Sequence, residues 1–151
     1  MKICYLDANL LVYYGNRNSP FHFRSRSIIK KLILENWQLR ISSLILDEYE
    51  HAIIRLSGSI KAEVIKDLRG GLKKISKIPM LELVNPPLRI KEHFKILKFI
   101  EKFGLKPRDA YHLFIMKENK IQFMATFDND FEKVFNKSVI KKFELALIGE
   151  K

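Results

Sequence analysis

Acidic residues follow short apolar runs in this chain, and their positions predict that they meet at one edge of a sheet. Asp7 comes directly after the apolar run at residues 3–6, and Asp128 and Asp130 follow the run at residues 121–126. In an open α/β sheet, the loops beyond the carboxyl ends of the strands carry the polar groups that bind ligands. Two strand ends are therefore expected to bring carboxylates into the same crevice.

Glu48 and Asp109 occupy related places. Glu48 lies just beyond a second predicted strand, at the start of the next helix, and Asp109 lies at the start of the helix before the last acidic loop. Taken singly, such an acid is more often a turn former or a helix cap. The neighbouring Asp47 and Glu50 also weaken any inference from Glu48 alone. The joint placement of these acids makes a shared role the stronger interpretation.

Carboxylates gathered at one place repel one another and raise each other's pKa, so their presence in a chain of net charge +11 needs a reason. A divalent cation supplies one. Oxygen ligands suit hard ions such as Mg²⁺ or Mn²⁺, whereas the lack of a cysteine cluster or a close histidine pair argues against zinc. A metal held by carboxylates activates water and offsets charge on a phosphoryl oxygen. The residues therefore indicate phosphodiester hydrolysis.

The composition is that of one globular domain, which we place at residues 1–151. Hydrophobic residues make up 47% and charged residues 30%, a mix that excludes disordered and collagen-like chains. The 28 Lys and Arg against 17 Asp and Glu favour an anionic partner, although nucleic acid, acidic lipid and acidic protein would all fit. Cys4 is the only cysteine, which excludes an intrachain disulfide. With no visible export signal or membrane span, we predict a cytoplasmic protein.

Short apolar runs and the helical spacing of apolar residues predict the elements that position these acids. The predicted strands are residues 3–6, 38–43, 121–126 and 145–148, with an extended segment at 79–87. The predicted helices are residues 21–36, 90–103 and 109–117, and a helix that begins at Leu44. Residues 47–77 are predicted to form a helical hairpin or two consecutive helices, with breaks or frayed points at Gly58 and Gly70-Gly71. Strands separated by helices imply an α/β sheet that is parallel at its centre.

Four segments resemble the PIN-domain nucleases, and within them the VapC-type toxins of toxin–antitoxin pairs. They are YLDANLL at residues 5–11, SSLILDEY at 42–49, PRDAYHL at 107–113 and TFDNDF at 126–131. Each segment alone is weakly specific, but together and in this order they span nearly the whole chain. The resemblance implies a PIN-like three-layer α/β/α fold with a central, mainly parallel sheet.

The resemblance also implies a set of site residues and partners. The family's metal-coordinating acids fall on Asp7, Glu48, Asp109 and Asp128, with Asp130 as an additional acid, and its supporting polar residues fall on Asn9, Ser43 and Thr126. It implies Mg²⁺- or Mn²⁺-dependent cleavage of RNA, a homodimer, and an antitoxin partner whose acidic tail covers the site. The departures are Phe127, where a polar residue is usual, and Phe114, where a small one is usual.

Several alternatives stay open. The chain could be a housekeeping RNA-processing nuclease, or a non-catalytic module that binds RNA or sequesters an antitoxin. A haloacid-dehalogenase-type phosphatase is disfavoured because Asn9 stands where that mechanism needs its second Asp. For His112, which follows Asp109 by three positions, packing beside the site is favoured over a metal role.

Overall fold

The computed structural model of the chain describes residues 2–145 and contains one five-stranded sheet. The strands are β1 (Ile3–Leu6), β2 (Gln38–Ile41), β3 (Leu81–Leu83), β4 (Phe123–Ala125) and β5 (Lys141–Lys142). Their order across the sheet is β3-β2-β1-β4-β5, and every neighbouring pair is parallel. The predicted parallel α/β sheet is confirmed, and its parallel character extends from the centre to both edges.

Helices connect the strands and flank the sheet. They are α1 (Ala8–Gly15), α2 (His22–Leu34), α3 (Ser43–Ser57), α4 (Ala62–Ile75), α5 (Ile90–His93), α6 (Lys95–Phe103), α7 (Pro107–Glu118) and α8 (Glu132–Asn136). Gly58 and Gly104 end α3 and α6 with φ of 71° and 61°, a backbone conformation that glycine adopts without a steric penalty.

The central strand β1 places Asp7 at the edge of the core. Cys4, Tyr5 and Leu6 have no solvent-exposed surface, because β1 is paired on both sides and both faces of the sheet are covered. The chain leaves β1 at Asp7, whose carboxylate accepts a hydrogen bond from the backbone N–H of Ala8 and so caps α1. A candidate site residue is thus fixed by both a buried strand and a helix start.

Two helices differ from the prediction in ways that packing explains. No helix is predicted at residues 8–15, yet α1 forms there. Half of its residues, among them Leu10 and Leu11, are buried and three more are half-buried, so the helix has no exposed polar face that would reveal its period in the sequence. In α4 the Gly70-Gly71 pair is predicted as a break, but the helix runs through it. Burial of Leu68 and Ile75 on one face holds the helix together there.

The C-terminal half contains the other differences. The single helix predicted at residues 90–103 is divided at Phe94 into α5 and α6, and the His93 ring is tied to the Pro87 carbonyl oxygen at 2.7 Å. Two short elements, α8 and β5, are not predicted at all. The predicted strand at residues 145–148 lies outside the described residues except for Leu145, which is in no strand.

No helix in the described part of the chain is both long enough and apolar enough to cross a membrane.

Candidate active site

A cavity of about 220 Å³ opens beyond the carboxyl ends of β1 and β4. Asp7, Glu48, Asp109 and Asp128 all line this cavity, which we call the acidic cavity. Asp7 follows β1, Asp128 follows β4, Asp109 lies in the first turn of α7, and Glu48 lies farther along α3 than the sequence suggested. Four separate segments therefore bring a carboxylate to one place, as the topological argument from strand ends predicts.

Asp7 is the most buried of these carboxylates. Its side chain is 6% exposed, and burial raises its pKa, an effect opposed chiefly by the hydrogen bond from the Thr126 hydroxyl. The Ala8 backbone N–H donates to the other carboxylate oxygen at 2.7 Å. Both oxygens thus have a donor, which fixes the orientation of the carboxylate.

A polar network joins Asp7 to the loop after β4. The Asn9 amide nitrogen donates to the Thr126 hydroxyl oxygen at 3.3 Å, and the Asn9 amide oxygen accepts from the Phe127 N–H at 3.2 Å. The Thr126 hydroxyl oxygen also accepts from the Asp128 N–H at 2.9 Å. Asn9 and Thr126 therefore hold the loop that carries Asp128 against Asp7.

Glu48 is held by a buried chain of hydrogen bonds. The Tyr5 hydroxyl lies 2.6 Å from the Ser42 hydroxyl oxygen and 3.1 Å from His112 Nδ1, and His112 Nε2 lies 2.9 Å from Glu48 Oε2. Arg108 Nε lies 3.4 Å from the other carboxylate oxygen of Glu48. His112 is 1% exposed, so it packs beside the site as expected and in addition orients one of the acids.

Asp109 lies close to two further negative charges. Burial raises its pKa, and the negative charges of Asp130 and Asp128 raise it further. Asp130 itself does not line the acidic cavity, and its carboxylate accepts a hydrogen bond from Lys106 Nζ at 2.7 Å. This concentration of negative charge is what a cation site requires, because a bound cation would relieve the repulsion.

The side chains do not form a finished metal site as they stand. Among residues 2–145, no group of three or more His, Cys, Asp and Glu side chains is arranged so that it could hold a metal ion. The bonds from His112 and Arg108 to Glu48, and from Thr126 to Asp7, account for the present orientations. The donors nevertheless match a hard divalent cation in type, since carboxylate oxygens are the ligands that Mg²⁺ and Mn²⁺ prefer.

Ser43 is placed away from the acidic cavity. Its hydroxyl donates to the Asn85 side-chain oxygen at 2.9 Å, and both residues line a different cavity, near Pro87 and Tyr111. The preceding residue, Ser42, is buried and bonds Tyr5 while also capping α3. The serine that is connected to Glu48 through hydrogen bonds is thus Ser42, because the residue before the helix points its side chain inward here and the first helical residue points outward.

Basic residues of the acidic cavity were not identified from the sequence. His51, Arg55 and Arg108 line it together with the acids. Helical spacing could have found two of them, since His51 and Arg55 lie on α3 three and seven residues after Glu48 and so share its face. The cavity therefore combines carboxylates that suit a cation with guanidinium groups that suit a phosphate.

Comparisons with known proteins agree with this fold. The family model described as PIN domain matches residues 4–136. None of the curated protein sequences matches the chain. The solved structure of VapC20 from Mycobacterium tuberculosis, a sarcin-ricin loop cleaving toxin, is similar with a TM-score of 0.61 and 17% identity, covering 87% of this chain and 94% of that one.

Two complexes give similar values. VapBC2 from Rickettsia felis, bound to a DNA fragment from its promoter, has a TM-score of 0.64 at 19% identity and covers 93% of this chain and 97% of its own. VapBC-1 from nontypeable Haemophilus influenzae has a TM-score of 0.62 at 15% identity, with 94% and 97% covered. At sequence identities this low, the structural similarity shows a shared fold and nothing further.

Proposed function

Because the chain belongs to the PIN domain family, we propose that it is a divalent-metal-dependent endoribonuclease, built as one domain over residues 1–151, and the toxin of a VapBC-type toxin–antitoxin pair. The observation that carries the proposal is the meeting of Asp7, Glu48, Asp109 and Asp128 in the acidic cavity. A protein that only bound RNA would gain nothing from this concentration of carboxylates, since they repel phosphate groups.

Asp7, Glu48, Asp109 and Asp128 would hold the Mg²⁺ or Mn²⁺, with Asp130 as a further acid at the margin. When bound, the ion supplies Lewis acidity that activates a water and offsets charge on the phosphoryl oxygens. Thr126 and the Ala8 N–H keep the Asp7 carboxylate in a fixed orientation. The reaction adds water across a phosphorus–oxygen bond of the RNA backbone and breaks the chain there.

The residues that orient Glu48 also suit a role in substrate binding. Arg108 lines the cavity with its side chain 55% exposed and contacts Glu48 at 3.4 Å, so its guanidinium can exchange that carboxylate for a phosphate. Arg55 lines the same cavity. The net charge of +11 adds a long-range attraction for a polyanion. The protein therefore draws RNA toward a centre that is itself acidic.

The proposed partners are a second copy of the chain and an antitoxin. The similarity to structures described as VapBC complexes supports an antitoxin partner. An antitoxin with an acidic tail would complement the basic surround and compete with RNA for it. A gene for a small acidic protein next to this one, and co-purification of the two products as a complex, would support the toxin assignment over a housekeeping RNA-processing role.

The decisive experiment compares two neutralising substitutions. We expect Asp7→Asn to abolish cleavage of single-stranded RNA in Mn²⁺ while the protein stays folded, because the amide removes a metal ligand. Asp47→Asn is the matched control, since Asp47 is exposed and lies outside the cavity. It should cut as fast as the wild type. Cleavage by Asp7→Asn at the wild-type rate would refute the assignment.

Titration of the metal-free protein with Mn²⁺ in a calorimeter gives a readout that does not depend on cleavage. The wild type should bind Mn²⁺ in the micromolar to millimolar range, and Asp7→Asn should bind it much more weakly. Absence of binding to the wild type across that range would favour a non-catalytic module that binds RNA or sequesters an antitoxin.

A further inference from the structure

A second cavity, of about 270 Å³, lies directly beside the acidic cavity. Successive residues of the loop after β4 face the two cavities in turn. Asp128 lines the acidic cavity, whereas Phe127 and Asn129 on either side of it line the second one. The second cavity also contains Tyr13 and Phe21, and we call it the aromatic pocket.

Three rings form one cluster in the aromatic pocket. The ring centroids of Tyr13 and Phe21 are 5.0 Å apart, those of Tyr13 and Phe127 are 5.4 Å apart, and those of Phe21 and Phe127 are 5.3 Å apart. Phe21 is 42% exposed, although it belongs to the cluster. A ring that is backed by two others and open on its remaining side is a rigid surface on which another flat ring can stack.

Arg24 adds a positive charge to the pocket. Its guanidinium carbon lies 5.7 Å from the centroid of the Phe127 ring, and within residues 2–145 no carboxylate forms a salt bridge with it. Lys142 also lines the pocket but is paired with Glu132 at 2.8 Å. Glu144 contributes one opposing charge to the lining. Among the described residues that line the pocket, Arg24 is therefore the cation without a carboxylate partner, and it can bind an anionic group there.

The aromatic pocket is joined to the acidic cavity by hydrogen bonds through Asn9. Asn9 lines the acidic cavity and accepts a hydrogen bond from the Phe127 N–H at 3.2 Å. Thr126 lines the aromatic pocket and donates to Asp7. The two cavities are thus held at a fixed spacing, on either side of a single loop.

We propose that the aromatic pocket binds one unpaired base of a single-stranded RNA, next to the phosphate that enters the acidic cavity, with the Phe21 ring stacking on the base and Arg24 binding a flanking phosphate. This inference rests on the proposed function. An exposed aromatic ring beside an unpaired guanidinium is the combination with which proteins bind single strands. Stacking accepts any base, so the pocket selects for an unstacked nucleotide rather than for a particular sequence.

The test uses RNA oligonucleotides that the wild type has been shown to cut, so that the nuclease activity is established first. Abasic residues are placed at successive positions around the cleaved bond. At one position adjacent to that bond, loss of the base should lower kcat/KM of the wild type by roughly 5- to 150-fold, the range expected for one stacked base. The Phe21→Ala variant should show a similar loss on intact RNA and no further loss on the abasic RNA.

Two variants separate stacking from packing. Phe21→Leu keeps an apolar side chain against Tyr13 and Phe127 but removes the ring, so it should behave like Phe21→Ala. Phe23→Ala is the matched control, because Phe23 is 80% exposed two residues away and lines a different cavity. It should cut intact and abasic RNA as the wild type does. All variants are checked for an unchanged melting temperature.

Fluorescence of 2-aminopurine at the same position gives a second readout, taken with EDTA present so that no cleavage occurs. Binding to the wild type and to Phe23→Ala should quench the fluorescence, and binding to Phe21→Ala should not. Arg24→Gln should lower the slope of log Kd against log salt by about 0.7, the value for one phosphate contact on a single strand.

The results that overturn the proposal differ from those that overturn the nuclease assignment. If the wild type cuts RNA but no abasic position lowers kcat/KM, or if Phe21→Leu cuts like the wild type, the pocket binds no stacked base. If the wild type cuts no RNA under any metal, the proposed function is what fails.

Discussion

The contact between α3 and α4 leads to a sharp prediction, because α4 carries two adjacent glycines in different surroundings. A methyl group added at Gly70 would have no neighbour within 4 Å. The same group added at Gly71 would overlap the Tyr49 hydroxyl and lie 3.1 Å from the Tyr49 Cζ atom. Tyr49 is 4% exposed and adjoins Glu48 on α3, so a shift of its ring to make room for the methyl group would disturb the packing around it.

The magnitudes follow from these two environments. Replacing glycine by alanine inside a helix stabilises it by about 1 kcal/mol, so Gly70→Ala should raise the free energy of unfolding by that amount. At Gly71 the same gain is opposed by an overpacking cost of about 1–3 kcal/mol. The two variants should therefore differ by about 1–3 kcal/mol, or roughly 2–12 °C in Tm for a chain of this length.

Removing the Tyr49 hydroxyl tests whether that atom causes the difference. In a Tyr49→Phe background the ring carbon at 3.1 Å is still close, but the overlap is gone. Gly71→Ala should then cost much less, and the double-mutant cycle should give a coupling of about 1 kcal/mol or more between positions 49 and 71. The single Tyr49→Phe variant corrects for the hydroxyl's own contribution.

The assay is urea unfolding followed by circular dichroism, with Tm by calorimetry as a second measure. If Gly71→Ala proves as stable as Gly70→Ala, or if Tyr49→Phe leaves the cost of Gly71→Ala unchanged, then α3 does not approach α4 as closely as described. In that case the position of Glu48, which rests on the same helix, would also need revision.

Three further substitutions give independent checks. His112→Ala should raise the Mn²⁺ concentration needed for half-maximal cleavage by roughly 10–100-fold, because it frees Glu48, and an unchanged metal requirement would contradict a positioning role. Asp130→Asn should reduce kcat/KM less than Asp109→Asn, since Asp130 is bonded to Lys106 outside the acidic cavity, and equal losses would place it among the ligands. Cys4, whose thiol pKa is raised by burial, should react with a thiol reagent at pH 8 only after unfolding in urea, and fast labelling of the native protein would contradict its burial.

The parallel sheet and the meeting of the acids were predictable from the sequence for one physical reason. A short apolar run is a strong signal for a buried strand, and a parallel sheet gathers all of its carboxyl ends at one edge. Asp7 and Asp128 could therefore be placed without knowledge of any side-chain packing. The same logic fails for α1, since a helix buried on most sides has no periodic polar face to reveal it.

The environment of Glu48 could not be predicted, because it depends on packing between distant segments. Tyr5, Ser42 and His112 come from β1, the start of α3 and α7, and only the fold shows that their polar atoms form one chain. The choice between Ser42 and Ser43 is of the same kind. Both are serines at the junction between β2 and α3. Which of the two side chains points inward depends on the residue at which the helix begins, and the sequence does not define that residue to within one position.

The proposed activity has two electrostatic requirements that experiments can separate: basic residues that attract the RNA strand, and a divalent cation at the acidic cavity. The acidic cavity would repel a phosphate, so the basic residues around it can attract an RNA strand but cannot by themselves bring the scissile phosphate inward. A bound divalent cation would offset the negative charge of the carboxylates only at the centre. Added monovalent salt should thus weaken RNA binding strongly, whereas removal of the divalent ion should stop cleavage and leave most of the binding intact. Binding that disappeared together with the divalent ion would mean that the cation, and not the surplus of Lys and Arg, holds the strand.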